Sequence, residues 1–154
     1  MKCIVFSLLI CLSFFASAQN NQSVRFLNPL TIHKPNGYSH SAIIDLGNSK
    51  MVILSGQVAL DKDGNLVGKA DIAKQTEQVF ANIKSSITEI GGNMNQLVKL
   101  NYFILHGQEI QPVREVRNKF INTSTPPAST LVKVSGLFRD DILIEIEATF
   151  IVPE

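Results

Sequence analysis

Apolar and polar positions change their period several times along the chain, and each change marks a predicted element. Residues 41–46 and 51–60 are rich in apolar and β-branched side chains, and a Gly-Asn-Ser step at 47–49 separates them. This pattern predicts a β-hairpin. The following Asp-Lys-Asp-Gly-Asn run at 61–65 predicts a tight turn, because Asp, Asn and Gly tolerate the backbone geometry that turns require.

The next segment has a helical period. Apolar residues recur every three or four positions from Ile72 to Ile90, while charged and amide side chains occupy the opposite face. This period predicts an amphipathic helix. Asp71 is placed to cap its N-terminus, and Gly91-Gly92 is placed to end it. Because the apolar stripe is one-sided, the helix is expected to lie on a sheet.

The rest of the chain predicts one more helix and three more strands. The predicted elements are a strand at 96–105, a short helix at 110–121, a loop at 123–127, and strands at 130–137 and 142–152. The resulting order, ββαβαββ, predicts an α+β domain with two helices on one face of a mixed sheet. In the last strand the apolar positions from Ile144 to Phe150 should face the helices, and the polar positions from Glu145 to Thr149 should face away.

The N-terminus has the pattern of an export signal. Lys2 precedes an apolar run at 4–15, and Ala16-Ser17-Ala18 forms a small-x-small cleavage site. Residues 1–18 are therefore predicted to be a secretory signal peptide. A membrane anchor is the alternative, although the run is shorter than the ~20 residues of a spanning helix. The protein is expected to be exported, to the periplasm or outside the cell, with no membrane attachment after cleavage.

Cleavage would leave an irregular N-terminal arm at 19–36 and a domain at 37–154. The two cysteines, Cys3 and Cys11, both lie in the signal, so the remaining chain would have no disulfide. Removing Lys2 leaves 13 basic and 13 acidic side chains. This balance argues against a nucleic-acid partner, which requires a concentrated positive surface. The histidines show no metal-ligand spacing and no phosphate-binding loop occurs, so no metal or cofactor is expected.

Four short motifs together resemble the RidA family, the YjgF-type proteins also labelled L-PSP endoribonucleases. They are Tyr-Ser at 38–39, Ser-Gly-Gln at 55–57, Pro-Ala at 127–128 and Ile-Glu-Ile-Glu-Ala at 144–148. The resemblance implies a chorismate-mutase-like fold that assembles as a homotrimer, with small-molecule clefts between subunits. It also implies hydrolysis of short enamines and imines, such as 2-aminoacrylate, to a keto acid and ammonia without a metal or cofactor.

The resemblance also assigns site residues. It implies that Tyr38, Ser55 and Gly56 bind substrate, and that Glu145 is catalytic and orients a water. Each also has a purely structural interpretation: Tyr38 as a core or interface phenol, 55–57 as strand packing at a bulge, and Glu145 as an exposed strand residue.

One position departs from the family pattern. Active members are expected to have Pro-Ala-Arg where this chain has Pro-Ala-Ser at 127–129, so Ser129 replaces the arginine that holds the substrate carboxylate. A serine offers one hydroxyl and no charge, whereas a guanidinium offers a bidentate fork. Arg114, on the second predicted helix, is the best candidate for a replacement cation.

Two functions are therefore left open. The chain is either a divergent imine or enamine deaminase, or a non-catalytic trimer that binds a small ligand at the same clefts. Ribonuclease activity is less favoured, because it rests only on the family's older label.

Overall fold

The computed structural model describes residues 23–154, so the predicted signal peptide lies outside the described residues. Its elements are β1 (Val24–Leu27), β2 (Ser41–Asp45), β3 (Ser49–Gln57), α1 (Ile72–Glu89), a 3₁₀ turn (Met94–Gln96), β4 (Leu97–Leu105), α2 (Gln111–Arg117), β5 (Ala128–Val134) and β6 (Ile144–Pro153). The six strands form one sheet in the order β1-β2-β3-β6-β4-β5. Only β4 and β5 pair in parallel. The predicted α+β class and the two-helix arrangement are confirmed.

The long helix α1 begins and ends as predicted. The Asp71 side chain accepts a hydrogen bond from the backbone N–H of Lys74 at 3.0 Å, which satisfies one of the free N–H groups of the first turn. Gly91 follows the helix with φ +90°, a conformation that glycine adopts without steric cost. The Asp71 carboxylate is further stabilised by this backbone contact, which lowers its pKa.

Both helices cover one face of the sheet. The inward stripe of α1 is fully buried and packs against apolar positions of β3, β4 and β6 and against Val113 and Val116 of α2. Phe80 of α1 stacks on Phe120, just after α2, with ring centroids 5.1 Å apart. The alternation of β6 is confirmed: its even-numbered residues from Ile144 are buried, and its odd-numbered residues from Glu145 are half-buried on the open face.

Several predicted boundaries were wrong. The lead-in at 19–36 is not wholly irregular, because β1 lies within it and pairs with β2. The second helix ends at Arg117 rather than at residue 121, and turns carry the chain on to Ile121. The strand predicted at 51–60 begins at Ser49 and ends at Gln57, its last residue paired with β6, and Leu60 forms an isolated bridge with Leu66 instead. The strand predicted at 130–137 lies at Ala128–Val134.

Within residues 23–154, no helix is long and apolar enough to cross a membrane. No group of three or more His, Cys, Asp or Glu side chains in the same range is arranged to hold a metal ion.

Candidate functional site

A bulge in β3 creates the candidate site. The pairing between β3 and β6 shifts register between Leu54 and Gln57, so Ser55 and Gly56 leave the regular ladder. The Ser55 N–H donates to the His40 carbonyl at 2.9 Å, and its hydroxyl donates to the Ser39 carbonyl at 2.7 Å. Bulges re-aim side chains and occur often beside functional sites. The bulge therefore holds Ser55 with its hydroxyl proton donated to Ser39. The hydroxyl oxygen has lone pairs left and can only accept a further hydrogen bond.

The Glu145 side chain lies directly over Gly56. A Cβ at position 56 would lie 2.6 Å from Cδ and 2.9 Å from Cγ of Glu145, and would contact the carboxylate oxygen more closely still. Only glycine leaves room for this placement. Burial raises the pKa of Glu145, and the neighbouring Glu147 carboxylate raises it further. The carboxyl group is thus suited to exchange a proton nearer neutrality than an exposed glutamate would.

Tyr38 lines the same pocket as Glu145. Its hydroxyl oxygen is 3.1 Å from Nε2 of His33, and its ring is in edge contact with the buried His40 ring at a centroid distance of 5.2 Å. Burial raises the pKa of Tyr38, and the Glu145 carboxylate raises it further, so the phenol stays protonated. The residue as a whole is still 44% exposed.

These groups meet at a pocket of about 540 Å³, which is called the site pocket below. That volume is in the range of small-molecule sites. Its lining residues are His33, Lys34, Asn36, Tyr38, Ser55, Gly56, Val58, Leu60, Phe138 and Glu145. Four of the residues that the resemblance implied are therefore together: Tyr38, Ser55, Gly56 and Glu145. A second pocket of about 470 Å³, on the open face of the sheet, shares Tyr38 and Ser55 with it.

The structure does not bring Ser129 to the site pocket within one chain. Ser129 lies on the edge strand β5 and pairs with Leu100, which pairs in turn with Ala148 of β6. Ser129 and Glu145 are thus two strand spacings, or about 10 Å, apart across the sheet, and three residues, or about 10 Å, apart along the strands. Since Leu100 faces the helices, this register also places Ser129 on the face opposite to Glu145.

Arg114 is likewise separate from the site pocket. It is an exposed residue of α2, in the helix layer, and it does not line the pocket. Arg114 therefore does not face Glu145 within the chain. Its assignment as a replacement cation stays a prediction that requires a second subunit.

Sequence reasoning missed three contributors: His33, Lys34 and Phe138. The first two lie in the segment that was predicted to be an irregular arm, and Phe138 lies in the loop before β6. Lys34 is the only cationic side chain among the ten that line the pocket. The available signal was local: a His-Lys-Pro step four residues before Tyr38 is polar enough to lie at a surface and too short to be a strand.

Comparisons with known proteins show which family the chain is similar to. A model of the Endoribonuclease L-PSP family matches residues 31–152. A RutC family protein of Pyrococcus abyssi is 34% identical over 115 residues, covering 75% of this chain and 87% of the relative. The 2-iminobutanoate/2-iminopropanoate deaminase of Escherichia coli K12 is 33% identical over 108 residues, covering 68% of this chain and 80% of the relative.

Solved structures show the same relationship. The crystal structure of the YjgF gene product of Escherichia coli superposes with a TM-score of 0.70 at 30% identity, covering 82% of this chain and 98% of that one. The fold and the pocket define a small α+β protein of the YjgF type. The chain belongs to the Endoribonuclease L-PSP family, which is the RidA/YjgF family.

Proposed function

We propose that the protein binds a small planar metabolite with a carboxylate, of the imine, enamine or keto-acid class, in the site pocket. The observation that carries the proposal is the placement of the half-buried Glu145 carboxyl group over Gly56, in the pocket that Tyr38 also lines. This arrangement joins a proton-exchanging acid to a phenolic hydrogen-bond donor in a pocket of small-molecule size. A relative named as an imine deaminase supports the choice of ligand class.

The chemistry available to this arrangement is hydrolysis of a carbon–nitrogen double bond. Glu145 would accept a proton from a water as the water oxygen bonds to the imine carbon, and would return it to the imine nitrogen to give a carbinolamine. It would then accept the carbinolamine hydroxyl proton as the C=O bond forms and pass it to the nitrogen as the C–N bond breaks, which leaves a keto acid and ammonia. The raised pKa of Glu145 suits it to both directions of proton transfer.

We expect slow catalysis because, among the described residues, no arginine is placed to hold the ligand carboxylate in the site pocket. Ser129 offers no charge for the ligand carboxylate, and the exposed Arg114 lies in the helix layer. Lys34 is a single ammonium group on a flexible stem, so it can attract a carboxylate without the bidentate geometry of arginine. We therefore infer that binding is retained, and that deamination is slower than in relatives with an arginine.

The proposed assembly is a homotrimer. On the open face of the sheet, the strand pairings align Phe26 with Ala42 and Ala42 with Ile53, and Phe26 and Ile53 are 69% and 42% exposed. A neighbouring subunit would remove this apolar surface from water. An arrangement in which β5 of one subunit borders the site pocket of the next would bring Ser129 near a ligand. The export signal at 1–18 would place this assembly in the periplasm or outside the cell.

The test is a thermal-shift titration, because a ligand that binds only the folded state raises its melting temperature. The probe is 2-oxobutanoate, the stable keto acid of this class, and butanone is the matched ligand without a carboxylate. We expect 2-oxobutanoate to raise Tm and butanone to have little effect. Tyr38→Phe and Lys34→Gln should each reduce the shift, whereas Glu77→Gln, an exposed position on α1, should not. Equal shifts with both probes would contradict the carboxylate assignment.

Catalysis is the second candidate function, and the same family relationship favours it. Imines generated in situ from small amino acids should disappear faster with the wild type than with Glu145→Gln. Rates equal to the uncatalysed reaction, together with retained binding of 2-oxobutanoate, would assign the protein to the non-catalytic alternative.

A further inference from the structure

Two buried histidines lie directly beneath the site pocket. His40 is fully buried and His33 is 9% exposed. Their rings are perpendicular, with centroids 4.8 Å apart. His33 lines the pocket, whereas His40 lies behind it, so the two rings connect the protein core to the Tyr38 hydroxyl.

The hydrogen bonds of His40 fix its protonation. Its Nε2 is 2.8 Å from the His33 carbonyl oxygen, which can only accept, so Nε2 must donate. Its Nδ1 is 3.3 Å from the Gln57 amide nitrogen, which donates to it and also donates to the Ser55 carbonyl at 2.9 Å. His40 is therefore the neutral Nε2–H tautomer. Burial lowers its pKa, which agrees with this assignment.

The hydrogen bonds of His33 lead to the same tautomer. Its Nε2 is 3.1 Å from the Tyr38 hydroxyl oxygen, and its Nδ1 is buried without a hydrogen-bond partner. A proton on Nδ1 would be a buried N–H with nothing to receive it. A proton on Nε2 can instead be donated to the Tyr38 oxygen. The available hydrogen bonds therefore assign His33 to the neutral Nε2–H tautomer. Burial and the neighbouring His40 both lower the pKa of His33, which disfavours the doubly protonated ring.

This tautomer determines where the Tyr38 proton points. A phenol has one proton, and if its oxygen accepts from His33, its own O–H must be directed elsewhere. Tyr38 lines the site pocket together with Glu145, and 44% of the whole residue is exposed. An O–H directed away from the buried His33 can therefore point into the pocket.

We propose that His33 is a positioning residue that fixes the Tyr38 hydroxyl as a hydrogen-bond donor to the ligand. At that point the pocket would select an acceptor, either a carboxylate or a carbonyl oxygen, over a donor such as an ammonium group. The preference for an acceptor on the ligand rests on the proposed function, whereas the orientation of the Tyr38 hydroxyl does not.

The orientation is tested without a ligand. Long-range proton–nitrogen NMR spectra of protein containing ¹⁵N-labelled histidine report which ring nitrogen is protonated. We expect His33 in the Nε2–H form, and we expect Tyr38→Phe to change its ring shifts because the acceptor is lost. A wild-type His33 with the proton on Nδ1 would overturn the proposal, since Tyr38 would then donate to the histidine and present only lone pairs to the pocket.

The role of His33 in ligand binding is tested by titration with 2-oxobutanoate. We expect His33→Leu to weaken binding about tenfold, close to Tyr38→Phe, because a hydrogen bond to a charged oxygen loses its fixed donor. His33→Gln retains an N–H that can donate to Tyr38 and should bind within about threefold of the wild type. His106→Gln, an exposed histidine in the loop after β4, is the control, and melting curves report whether each variant is folded.

Two outcomes distinguish a failure of the positioning role of His33 from a failure of the proposed function. Wild-type affinity in a folded His33→Leu, with weakened binding in Tyr38→Phe, would overturn the positioning role. If the wild type binds no keto acid while His33 is in the Nε2–H form, the proposed function fails and the assigned orientation of Tyr38 stands.

Discussion

Replacing Gly56 by alanine tests the placement of Glu145 with a single methyl group. The new Cβ would lie 2.6 Å from Cδ of Glu145. Unstrained carbon–carbon contacts are at about 3.5 Å, so Cδ must move by about 1 Å, and the closer carboxylate oxygen must move farther. The atoms in the way belong to the outer part of a flexible side chain, and the φ of Gly56 is not positive, so the backbone itself accepts alanine.

The expected effects on stability and binding differ sharply. Moving Glu145 off its preferred rotamer costs about 0.5–1.5 kcal/mol. Replacing glycine by alanine in an accessible conformation returns about 0.4–1 kcal/mol by restricting the unfolded chain. The free energy of unfolding should therefore fall by about 1 kcal/mol or less. A displacement of about 1 Å in a positioned group can cost up to about a hundredfold in function, so 2-oxobutanoate should bind at least about tenfold more weakly.

The assay combines urea denaturation with calorimetric titration. Gly136→Ala is the matched control, because a Cβ there meets nothing within 4 Å and its φ is also not positive. In a Glu145→Ala background the stability cost of Gly56→Ala should disappear, since the obstructing atoms are gone. Unchanged affinity in Gly56→Ala would refute the role of Glu145. A cost above about 3 kcal/mol that persists without Glu145 would show that the backbone, not the side chain, excludes alanine.

Four other predictions concern position 129, the charge on Glu145, the core and the N-terminus. Ser129→Arg should increase imine hydrolysis if β5 borders a neighbouring pocket, whereas an unchanged rate would show that position 129 does not reach the ligand. Because the folded state raises the pKa of Glu145 above its ordinary value of 4.5, ionisation disfavours folding. Melting curves should show that the wild type loses stability relative to Glu145→Gln as pH rises through 4.5 towards 7, and parallel curves would contradict this. Ile83→Ala removes a fully buried side chain from α1 and should cost about 2–5 kcal/mol in urea denaturation, whereas a cost below about 1 kcal/mol would contradict its place in the core. Mass spectrometry of protein from its native host should find Gln19 first, and an intact N-terminus would contradict export by cleavage.

Elements with a strong local period could be predicted from the sequence. The helix α1 has a one-sided stripe, a capping aspartate and a terminal glycine, and β6 alternates apolar and polar residues from Ile144 to Phe150, so each is specified by its own residues. The strand β1 could not be predicted in the same way. It is four residues long within a polar segment, and it becomes a strand because β2 offers it backbone partners.

The candidate site was predictable only in part. The resemblance pointed to Tyr38, Ser55, Gly56 and Glu145, and the fold brings these four together. The contribution of His33 depends on a contact with a phenol five residues later and on burial beneath the pocket, and neither is visible in a sequence pattern. The separation of Ser129 from Glu145 depends on the parallel pairing of β4 and β5, which no local signal specifies.

The most direct test of the proposed function is to map where the keto acid binds. Backbone amide spectra of the protein without residues 1–18 would be recorded as 2-oxobutanoate is added to about millimolar concentration, where weak metabolite sites fill. The account predicts saturable shifts at Ser55, Gly56 and Glu145, with none at Gly136 and none anywhere when butanone is added. The absence of shifts at the β3 bulge, or saturation at a different surface, would contradict it.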